Sequence, residues 1–464
     1  MNEYQSPLWT TEELAAALDI GKPETAEIHG VSIDSRSINR HDLFVALSGK
    51  ARREFNIHTD SGRDGHDFVE HAVRNGSSCV MSEKPLSTAL SVPVAQCEDT
   101  LYGLWELARF RRAQLDCPVV ALTGSSGKTT LMNFVFQAMR QVVPSGSLNN
   151  HIGVPLSIAR TRRDAAFACF EIGTNHPGEI VGLSELVRPN IALVLNVTHA
   201  HIGNFPDESS LRAEKLSIGE GVPDGGQLIV AEELHQEAQA RFSHLHILCF
   251  GSSIAANYRF TLLENDRVRL TCSQGELEID IPGGGEHRAS TLCATLAVVD
   301  LLGESMSGMH EIGSTLPPGR GHSFTVGDIT IIDESYNANP DSMRQCIRQL
   351  ANQPGVEGRR IAIVGDMAEL GNQTAALHRS LVEDLLPLDG VICVGPAMFE
   401  HVYSRLPTEQ RLGYFVATDE LLDHCVTTLK SGDRVLVKAS NTVFWQQDFV
   451  ARLCSQLGRE QDKT

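Results

Sequence analysis

The chain has 464 residues, 42% of them hydrophobic, which is typical of a globular protein with several domains. Its 39 Lys and Arg against 58 Asp and Glu give a net charge of −19, which argues against non-specific binding to nucleic acid or to an anionic membrane. The eleven cysteines form no Cys-x-x-Cys pair and the N-terminus shows no signal-peptide pattern, so we expect a cytoplasmic protein with reduced thiols and no membrane-inserted segment.

Residues 1–116 are predicted to form the smaller, N-terminal α/β domain. Thr11–Leu18 is a short amphipathic stretch, Asp42–Leu47 has the length and composition of a strand, and Leu101–Arg112 is helix-like. Ala51–Gly65 is charged, contains glycine and shows no periodicity, so it is predicted to be a loop.

Residues 117–315 are predicted to form the central domain. Continuous apolar strands alternate here with helix-like sequence, which predicts a mostly parallel or mixed sheet with helices on both faces. Towards the end of this segment the pattern becomes that of antiparallel strands. The predicted elements are strands at Val119–Leu122, Ala168–Ile172 and Ile191–Val197, a helix carrying Leu131–Met139, and antiparallel strands within Tyr258–Ile281.

Residues 316–464 are predicted to form a C-terminal domain that begins with a Pro- and Gly-rich linker, Leu316–Gly321. Short apolar runs separated by helix-like sequence indicate a doubly wound, Rossmann-like α/β domain. The chain as a whole is therefore predicted to be an α/β protein of three domains. The predicted strands of the third domain are Ile329–Asp333, Arg360–Val364, Gly390–Val394 and Asp433–Val437.

A phosphate-binding loop is predicted at Thr123-Gly-Ser-Ser-Gly-Lys-Thr-Thr130, between a strand and a helix. Glycines allow a tight turn, helix N-terminal amides face an anion, Lys128 can reach the β and γ phosphates of ATP, and the Thr129 hydroxyl can bind Mg²⁺. Leu122 stands where the longer Walker pattern has a glycine, so a chance Gly/Ser-rich turn is the alternative. The residues expected to contact ATP are Gly124, Ser125, Ser126, Gly127, Lys128, Thr129 and Thr130.

Polar side chains also follow the next two predicted strands. Glu171 ends one strand and His201 follows the other, so both are expected at the same sheet edge as the phosphate loop. Together with Thr129 they could complete a Mg²⁺ site, although imidazole is an unusual ligand for that ion. Taken singly, each could equally be a solvated surface residue.

Several runs of sequence, in order along nearly the whole chain, resemble the Mur ligase family. They are Asp34-Ser-Arg36, Leu43-Phe-Val-Ala-Leu47, Asp64-Gly-His-Asp-Phe68, Asn149-Asn-His-Ile-Gly-Val-Pro155, Glu171-Ile-Gly-Thr-Asn-His-Pro-Gly-Glu-Ile180, Pro318-Gly-Arg320, Asp333-Glu-Ser-Tyr-Asn-Ala-Asn-Pro-Asp-Ser-Met343 and Gly365-Asp-Met-Ala-Glu-Leu-Gly371.

The resemblance implies a monomeric, ATP- and Mg²⁺-dependent amide ligase that joins D-alanyl-D-alanine to UDP-N-acetylmuramoyl-tripeptide through an acyl phosphate, in peptidoglycan precursor synthesis. It implies a catalytic set of Lys128, Glu171, His201 and Lys215, with Lys215 carbamylated as a further metal ligand. It implies nucleotide contacts from Arg320, Asp333 and Tyr336, and substrate contacts from Asp34, Ser35, Arg36, Asn149, Asn150, Asn337 and Asn339.

Some of these residues have simpler interpretations. From the residues alone, Lys215 is an exposed helix lysine, and Asn339-Pro340 is a helix N-cap followed by proline at the first helical position. The sequence also departs from the family pattern. Arg288 and Thr291 stand where the family has asparagines, Ala439 stands where many members have glycine, and the loop at Ala51–Arg63 is longer than usual.

These departures keep two other functions open. One is a Mur-like ligase that joins a different amine and carboxylate in another pathway. The other is a P-loop kinase or NTPase that cleaves ATP without forming an amide. A non-catalytic interaction protein is the weakest alternative, because the predicted ATP site has its lysine, carboxylate and histidine in place.

Overall fold

The computed structural model of the chain describes residues 6–86, 90–144, 146, 148–313, 316–353 and 358–461. Three sheets, of four, eight and six strands, follow one another along the chain. Each sheet lies within one of the three predicted domains, whose limits at 116/117 and 315/316 stay predictions. Among the described residues, no helix has the length and apolar character needed to cross a membrane.

The first sheet has four parallel strands in chain order. Side-chain caps fix where its helices begin. The Thr10 hydroxyl accepts from the amide of Glu13, while the Glu13 carboxylate accepts from the amide of Thr10. Asp99 accepts from two amides at the start of the helix Thr100–Ala113. The elements are α1 (Thr11–Leu18), β1 (Gly30–Ser32), β2 (Asp42–Val45), α2 (Val69–Arg74), β3 (Cys79–Ser82), β4 (Val94–Gln96) and α3 (Thr100–Ala113).

The second sheet has eight strands in the order β12-β11-β10-β9-β8-β7-β5-β6. The strands from β6 to β10 are parallel, and β10, β11 and β12 form an antiparallel meander. The elements are β5 (Val119–Thr123), α4 (Lys128–Ala138), α5 (Gly153–Ala159), β6 (Ala168–Glu171), α6 (Glu179–Val187), β7 (Ile191–Val194), α7 (Glu208–Leu216), β8 (Gln227–Ala231), α8 (His235–Arg241), β9 (His246–Gly251), β10 (Tyr258–Leu262), β11 (Arg267–Cys272), β12 (Gly275–Asp280) and α9 (Glu286–Leu301).

Successive side chains of β5 enter two different cores. Val120 and Leu122 pack in the cluster that contains α4 and α9, whereas Val119 and Ala121 pack in the cluster that contains α5 and α6. Both faces of the strand are therefore buried, which explains its continuous apolar sequence.

The third sheet has six strands in the order β13-β14-β18-β15-β16-β17. Among the described strands of this sheet, only the β13–β14 pair is antiparallel. The elements are β13 (His322–Val326), β14 (Ile329–Asp333), α10 (Pro340–Ala351), β15 (Arg360–Gly365), α11 (Thr374–Arg379), α12 (Val382–Leu385), β16 (Gly390–Val394), α13 (Pro396–His401), β17 (Arg411–Phe415), α14 (Thr418–Thr428), β18 (Arg434–Lys438) and α15 (Phe449–Gln461).

The predicted α/β fold class is confirmed, and the predicted strands lie within a few residues of the observed ones. Seven of the described strands were not predicted: β1, β3, β4, β8, β9, β13 and β17. The thiol prediction also holds, because all eleven cysteines are free and most are buried.

Candidate active site

The phosphate loop forms the turn between β5 and α4. Gly127 has a φ of 81°, and a Cβ there would lie 2.7 Å from Leu195 Cδ2, so a larger residue would require Leu195 to move. Asn196, just beyond β7, holds the loop from the side: its Oδ1 accepts from the Ser126 amide at 3.0 Å and its Nδ2 donates to the Ser126 carbonyl at 3.1 Å. The sequence thus folds into the cradle that an anion needs.

Lys128 begins α4 and its ammonium donates to the Gly124 carbonyl at 2.7 Å. Burial lowers the pKa of Lys128, and the nearby Glu171 carboxylate opposes that shift. Next along the helix, the Thr129 hydroxyl donates to Glu171 Oε2 at 2.6 Å, while Asn149 Nδ2 donates to Glu171 Oε1 at 2.7 Å. The predicted lysine, hydroxyl and carboxylate therefore lie together.

A cavity of about 1030 Å³ opens in front of this loop, with walls from the central and C-terminal segments. Most of the predicted site residues line it. Those that do are Ser125, Ser126, Gly127, Lys128, Thr129, Thr130, Asn149, Asn150, Glu171, His201, Arg320, Tyr336, Asn337 and Asn339. Those outside its lining are Gly124, Lys215, Asp333, Asp34, Ser35 and Arg36.

Lys215 lies in the last turn of α7 and is only 1% exposed, so its interpretation as an exposed helix lysine is wrong. Burial, followed by repulsion from Lys128, lowers the pKa of its amine to about 7. The carboxylates of Glu214, Glu179 and Glu171 act in the opposite direction. At pH 7 an amine with this pKa is about half neutral, and the neutral form is a nucleophile. The amine of a solvated lysine is almost entirely protonated at the same pH.

His201 takes a left-handed backbone conformation with φ 62° and pairs through Nδ1 with Glu369 of the C-terminal segment. His199 lies between two carboxylates, 2.9 Å from Asp341 and 3.0 Å from Glu208. His201 thus lines the predicted site, with its ring nitrogen engaged across the boundary between the two segments.

The facing wall comes from the C-terminal segment. The Arg320 guanidinium stacks over the Tyr336 ring at 4.0 Å. Asp333 does not reach the cavity; it accepts from the Ser335 amide at 3.0 Å, and burial raises its pKa. Asn339 caps α10 by accepting from the Ser342 amide, as the simpler interpretation predicted, and it also lines the cavity.

The predicted residues of the first domain form a separate group. Asp34 and Arg36 make an ion pair at 2.7 Å, and the paired guanidinium lowers the pKa of the Asp34 carboxyl to about 2. Ser35 Oγ lies 3.0 Å from His71 Nδ1. These three residues of the N-terminal segment lie outside the cavity lining.

Several cavity residues were not predicted as site residues. Asn196 and Glu179 lie in runs that the sequence interpretation had already marked as strand end or motif. Arg288 is one of the departures from the family pattern. Glu334 belongs to a quoted motif and Lys438 precedes the departure at Ala439, but nothing local shows that both Arg288 and Lys438 pair with Glu334 in the folded chain.

The donor set suits a magnesium ion. Thr129 and Glu171 supply hydroxyl and carboxylate oxygens at the cavity wall, the ligand chemistry that Mg²⁺ prefers. In the described residues no cluster of three His, Cys, Asp or Glu side chains is gathered for a metal. The protein therefore offers few ligands of its own, as is usual where Mg²⁺ is bound with substrate phosphates and water.

Comparisons with known proteins agree with this geometry. Residues 122–299 match the Mur ligase middle domain and residues 319–441 match the Mur ligase glutamate ligase domain. A UDP-N-acetylmuramoyl-tripeptide–D-alanyl-D-alanine ligase of Haemophilus influenzae is 30% identical over 388 residues, 80% of this chain and 82% of the relative. The enzyme of that name from Escherichia coli is 29% identical over 433 residues, 88% and 91% of the two chains.

Solved structures give the same result. MurF from Acinetobacter baumannii superposes with a TM-score of 0.80 and 28% identity, covering 96% of this chain and 99% of that one. MurF from Thermotoga maritima, solved in complex with ADP, has a TM-score of 0.76 at 24% identity and covers 93% and 98% of the two chains, a likeness of fold. The family predicted from the motifs is confirmed: the chain belongs to the Mur ligase family.

Proposed function

We propose that this protein is an ATP-dependent amide ligase that adds D-alanyl-D-alanine to UDP-N-acetylmuramoyl-tripeptide during peptidoglycan precursor synthesis. The observation that carries the proposal is one cavity in which the Lys128–Thr129–Glu171 cluster faces Arg320, Tyr336 and the Asn337 region from another domain. The relatives that match over most of the chain bear that activity in their names.

ATP is proposed to bind with its phosphates on the loop at 124–130 and with Arg320 opposite. Lys128 and Arg320 then neutralise charge on the transferred phosphoryl group, so that catalysis is mainly positioning and electrostatics. Thr129, Glu171 and His201 are the residues proposed to hold Mg²⁺. When bound there, the ion would neutralise charge at the phosphate oxygens.

The reaction is proposed to run in two steps. A carboxylate oxygen of the tripeptide attacks the γ-phosphorus of ATP, the bond from that phosphorus to the β-γ bridging oxygen breaks, and ADP leaves. The amine of D-alanyl-D-alanine then attacks the acyl carbon and loses a proton, and the carbon–oxygen bond to phosphate breaks to release inorganic phosphate. Asn149, Asn150, Asn337 and Asn339 are proposed to orient the two peptide substrates, and closure around them keeps water from the acyl phosphate.

Lys215 is proposed to carry a carbamate. Its neutral amine can attack carbon dioxide, forming a nitrogen–carbon bond and releasing a proton, and the product is a carboxylate-like group near Lys128. The burial of Lys215 and its pKa of about 7 support this, because a protonated amine cannot react. The added oxygens would enlarge the small set of hard metal ligands noted above.

Asp34, Ser35 and Arg36 are proposed to contact the UDP-sugar end of the substrate, and Tyr336 to contact the nucleotide. Asp333 lies outside the cavity and is proposed to support the nucleotide site only indirectly, through its hydrogen bond with the Ser335 amide. Residues 1–116, 117–315 and 316–464 are proposed as the three domains. The protein is proposed to act as a cytoplasmic monomer, with no nucleic-acid partner.

The test is phosphate release from ATP and Mg²⁺ in the presence of UDP-N-acetylmuramoyl-tripeptide, with and without D-alanyl-D-alanine, with the product identified by mass spectrometry. We expect release to depend on both substrates and the pentapeptide to form. Release that ignores the dipeptide would point instead to an NTPase. Intact ATP binding without release would point to a ligase for another amine, which the departures at Arg288 and Thr291 keep open.

A further inference from the structure

Arg288 crosses the boundary between the central and C-terminal segments. It lies in the first turn of α9, and its side chain is 6% exposed. Its Nη2 donates to the Glu334 carboxylate, and its Nη1 lies 3.2 Å from Gln349 Oε1. The same Nη1 also donates to the carbonyls of Gly283 at 2.8 Å and Gly284 at 3.0 Å. One guanidinium therefore joins the start of α9 to two side chains of the C-terminal segment.

The contact is reciprocal and enclosed. Gln349 Nε2 donates back to the Gly283 carbonyl. A Cβ on Gly321 would lie 2.2 Å from Arg288 Nη2, so the second glycine of the Pro-Pro-Gly-Arg-Gly run leaves the space that the guanidinium fills. The contact across the boundary is therefore enclosed and supported from both segments. It differs from an ion pair between two exposed side chains.

Glu334 links this contact to the cavity wall. Its second carboxylate oxygen lies 3.7 Å from Lys438 Nζ, and Lys438 donates to the Asn337 carbonyl at 3.0 Å. Tyr336, two residues after Glu334, carries the stacked Arg320. The carboxylate therefore sits between two cations at the base of the segment that presents Tyr336 and Arg320 to the cavity.

A buried carboxylate with two cationic partners is stabilised where it lies, and loss of one partner leaves it poorly compensated. We infer that Arg288 is a positioning residue that holds the Glu334–Tyr336 segment against the phosphate-loop side, so that the two walls of the nucleotide site are assembled before nucleotide binds. The inference rests on the proposed nucleotide site and adds to it a residue that holds the two walls together.

The expected consequence is a change in nucleotide affinity. If Arg288 is replaced, a smaller fraction of molecules has both walls in place, and the apparent dissociation constant rises by the inverse of that fraction. A purely structural defect would instead lower the number of competent molecules while leaving their affinity unchanged. Affinity and binding stoichiometry thus separate the two roles.

The experiment measures ADP binding with Mg²⁺ by calorimetry, and the radius of gyration by small-angle X-ray scattering without any ligand. We expect Arg288→Gln to weaken ADP binding about tenfold at unchanged stoichiometry and to raise the radius of gyration, with saturating ADP restoring it. Glu334→Gln should behave in the same way, the double variant should be no worse than either single one, and Arg288→Lys should recover part of the affinity.

Arg269→Gln is the matched control, because Arg269 pairs with Glu278 within the central sheet, and it should change neither quantity. Wild-type affinity and radius in Arg288→Gln would overturn the inference. So would a weakened Arg288→Gln beside an unaffected Glu334→Gln, since Arg288 would then touch the nucleotide itself. Neither readout needs an amine acceptor, so failure of the proposed ligation would leave this result standing.

Discussion

The two boundaries between the three segments differ in chemistry. At the first, α3 of the N-terminal segment packs along α5 of the central one, and Trp9, Leu104, Leu156 and Ala159 share a single apolar core. The Trp9 indole also donates to the Ala159 carbonyl at 2.8 Å. At the first boundary, therefore, the two segments contribute side chains to one apolar core.

At the second boundary the apolar part is small and the polar part surrounds the cavity. Ile202, Phe205 and Leu211 of the central segment enter the C-terminal core. Around them lie the ion pair of Arg288 with Glu334 and the contacts of His199 and His201 with carboxylates of the C-terminal segment.

The two boundaries are therefore expected to have different roles. A continuous apolar core holds its two sides together in every state, whereas a boundary of polar pairs can exchange partners with water and open. The first boundary should therefore determine stability and the second should determine activity. Four substitutions or conditions test that comparison, in order of decreasing effect.

Lys128→Met should produce the largest effect, a loss of phosphate release of at least about 10³-fold, because it removes the cation proposed to face the transferred phosphoryl group. The thermal midpoint should not fall, since a half-buried ammonium is replaced by an uncharged chain of similar length. Steady-state kinetics and thermal melting measure the two quantities. Lys22→Met, at an exposed pair with Glu12, is the control and should change neither. A large loss of stability in Lys128→Met would break the comparison.

Trp9→Ala should act in the opposite sense, lowering the free energy of unfolding by about 3–5 kcal/mol through a cavity in the shared core. Phe324→Ala, on an exposed edge strand, should cost far less. Well below the melting temperature, kcat/KM of Trp9→Ala should stay near that of the wild type. Denaturant titration and kinetics at low temperature are the measurements, and normal stability would contradict the role given to the first boundary.

The proposed carbamate on Lys215 predicts that the enzyme's activity depends on bicarbonate and on pH. Burial lowers the pKa of the amine to about 7, so the amine is mostly neutral at pH 8 and mostly protonated at pH 6. We expect added bicarbonate to raise the activity of carbon-dioxide-depleted enzyme about tenfold at pH 8 and little at pH 6, since one pKa unit is a tenfold change in the neutral fraction below the pKa. Lys215→Met should show no response to bicarbonate at either pH. Equal stimulation of that variant would disprove the carbamate.

The smallest effect is expected from the long first-domain loop at Ala51–Arg63. Asn56 Nδ2 donates to Glu179 Oε1 at 3.1 Å, a polar contact that crosses the first boundary and ends at a residue lining the cavity. Asn56→Gly tolerates the positive φ there and should raise the KM for the UDP-linked substrate about fivefold, the value of one net hydrogen bond. Arg53→Ala, three residues earlier in the same loop and with an exposed side chain, is the control and should leave the KM unchanged.

The fold was largely predictable because most of its strands are short, continuous apolar runs beside helix-like sequence. Seven strands were not predicted, for particular reasons. β1, β3 and β4 have only three or four residues each. β13 is an exposed edge strand without an apolar run, and β17 is half-buried throughout. β8 and β9 are apolar, but such short runs cannot be told from buried helix by periodicity alone.

The site residues that belong to a short sequence motif or a strand end were predictable. Lys128 and Thr129 follow from the glycine turn, and Glu171 follows from its place at a strand end, as the structure brings all three together. The pairing of Arg288 with Glu334 was not predictable, because 46 positions and a domain boundary separate them. The exposure of Lys215 was misjudged, since its helix is polar and its burial comes from the packing of other elements around it.

The sequence by itself determined the family, the α/β class and the phosphate loop, because glycine conformation, strand-then-helix order and helix N-terminal amides act over a few residues. Only the tertiary structure decided which carboxylate Arg288 pairs with, how deeply Lys215 is buried and that Asp333 stays outside the cavity. Desolvation and long-range ion pairing depend on which distant segments pack together, and no local pattern in the chain records that.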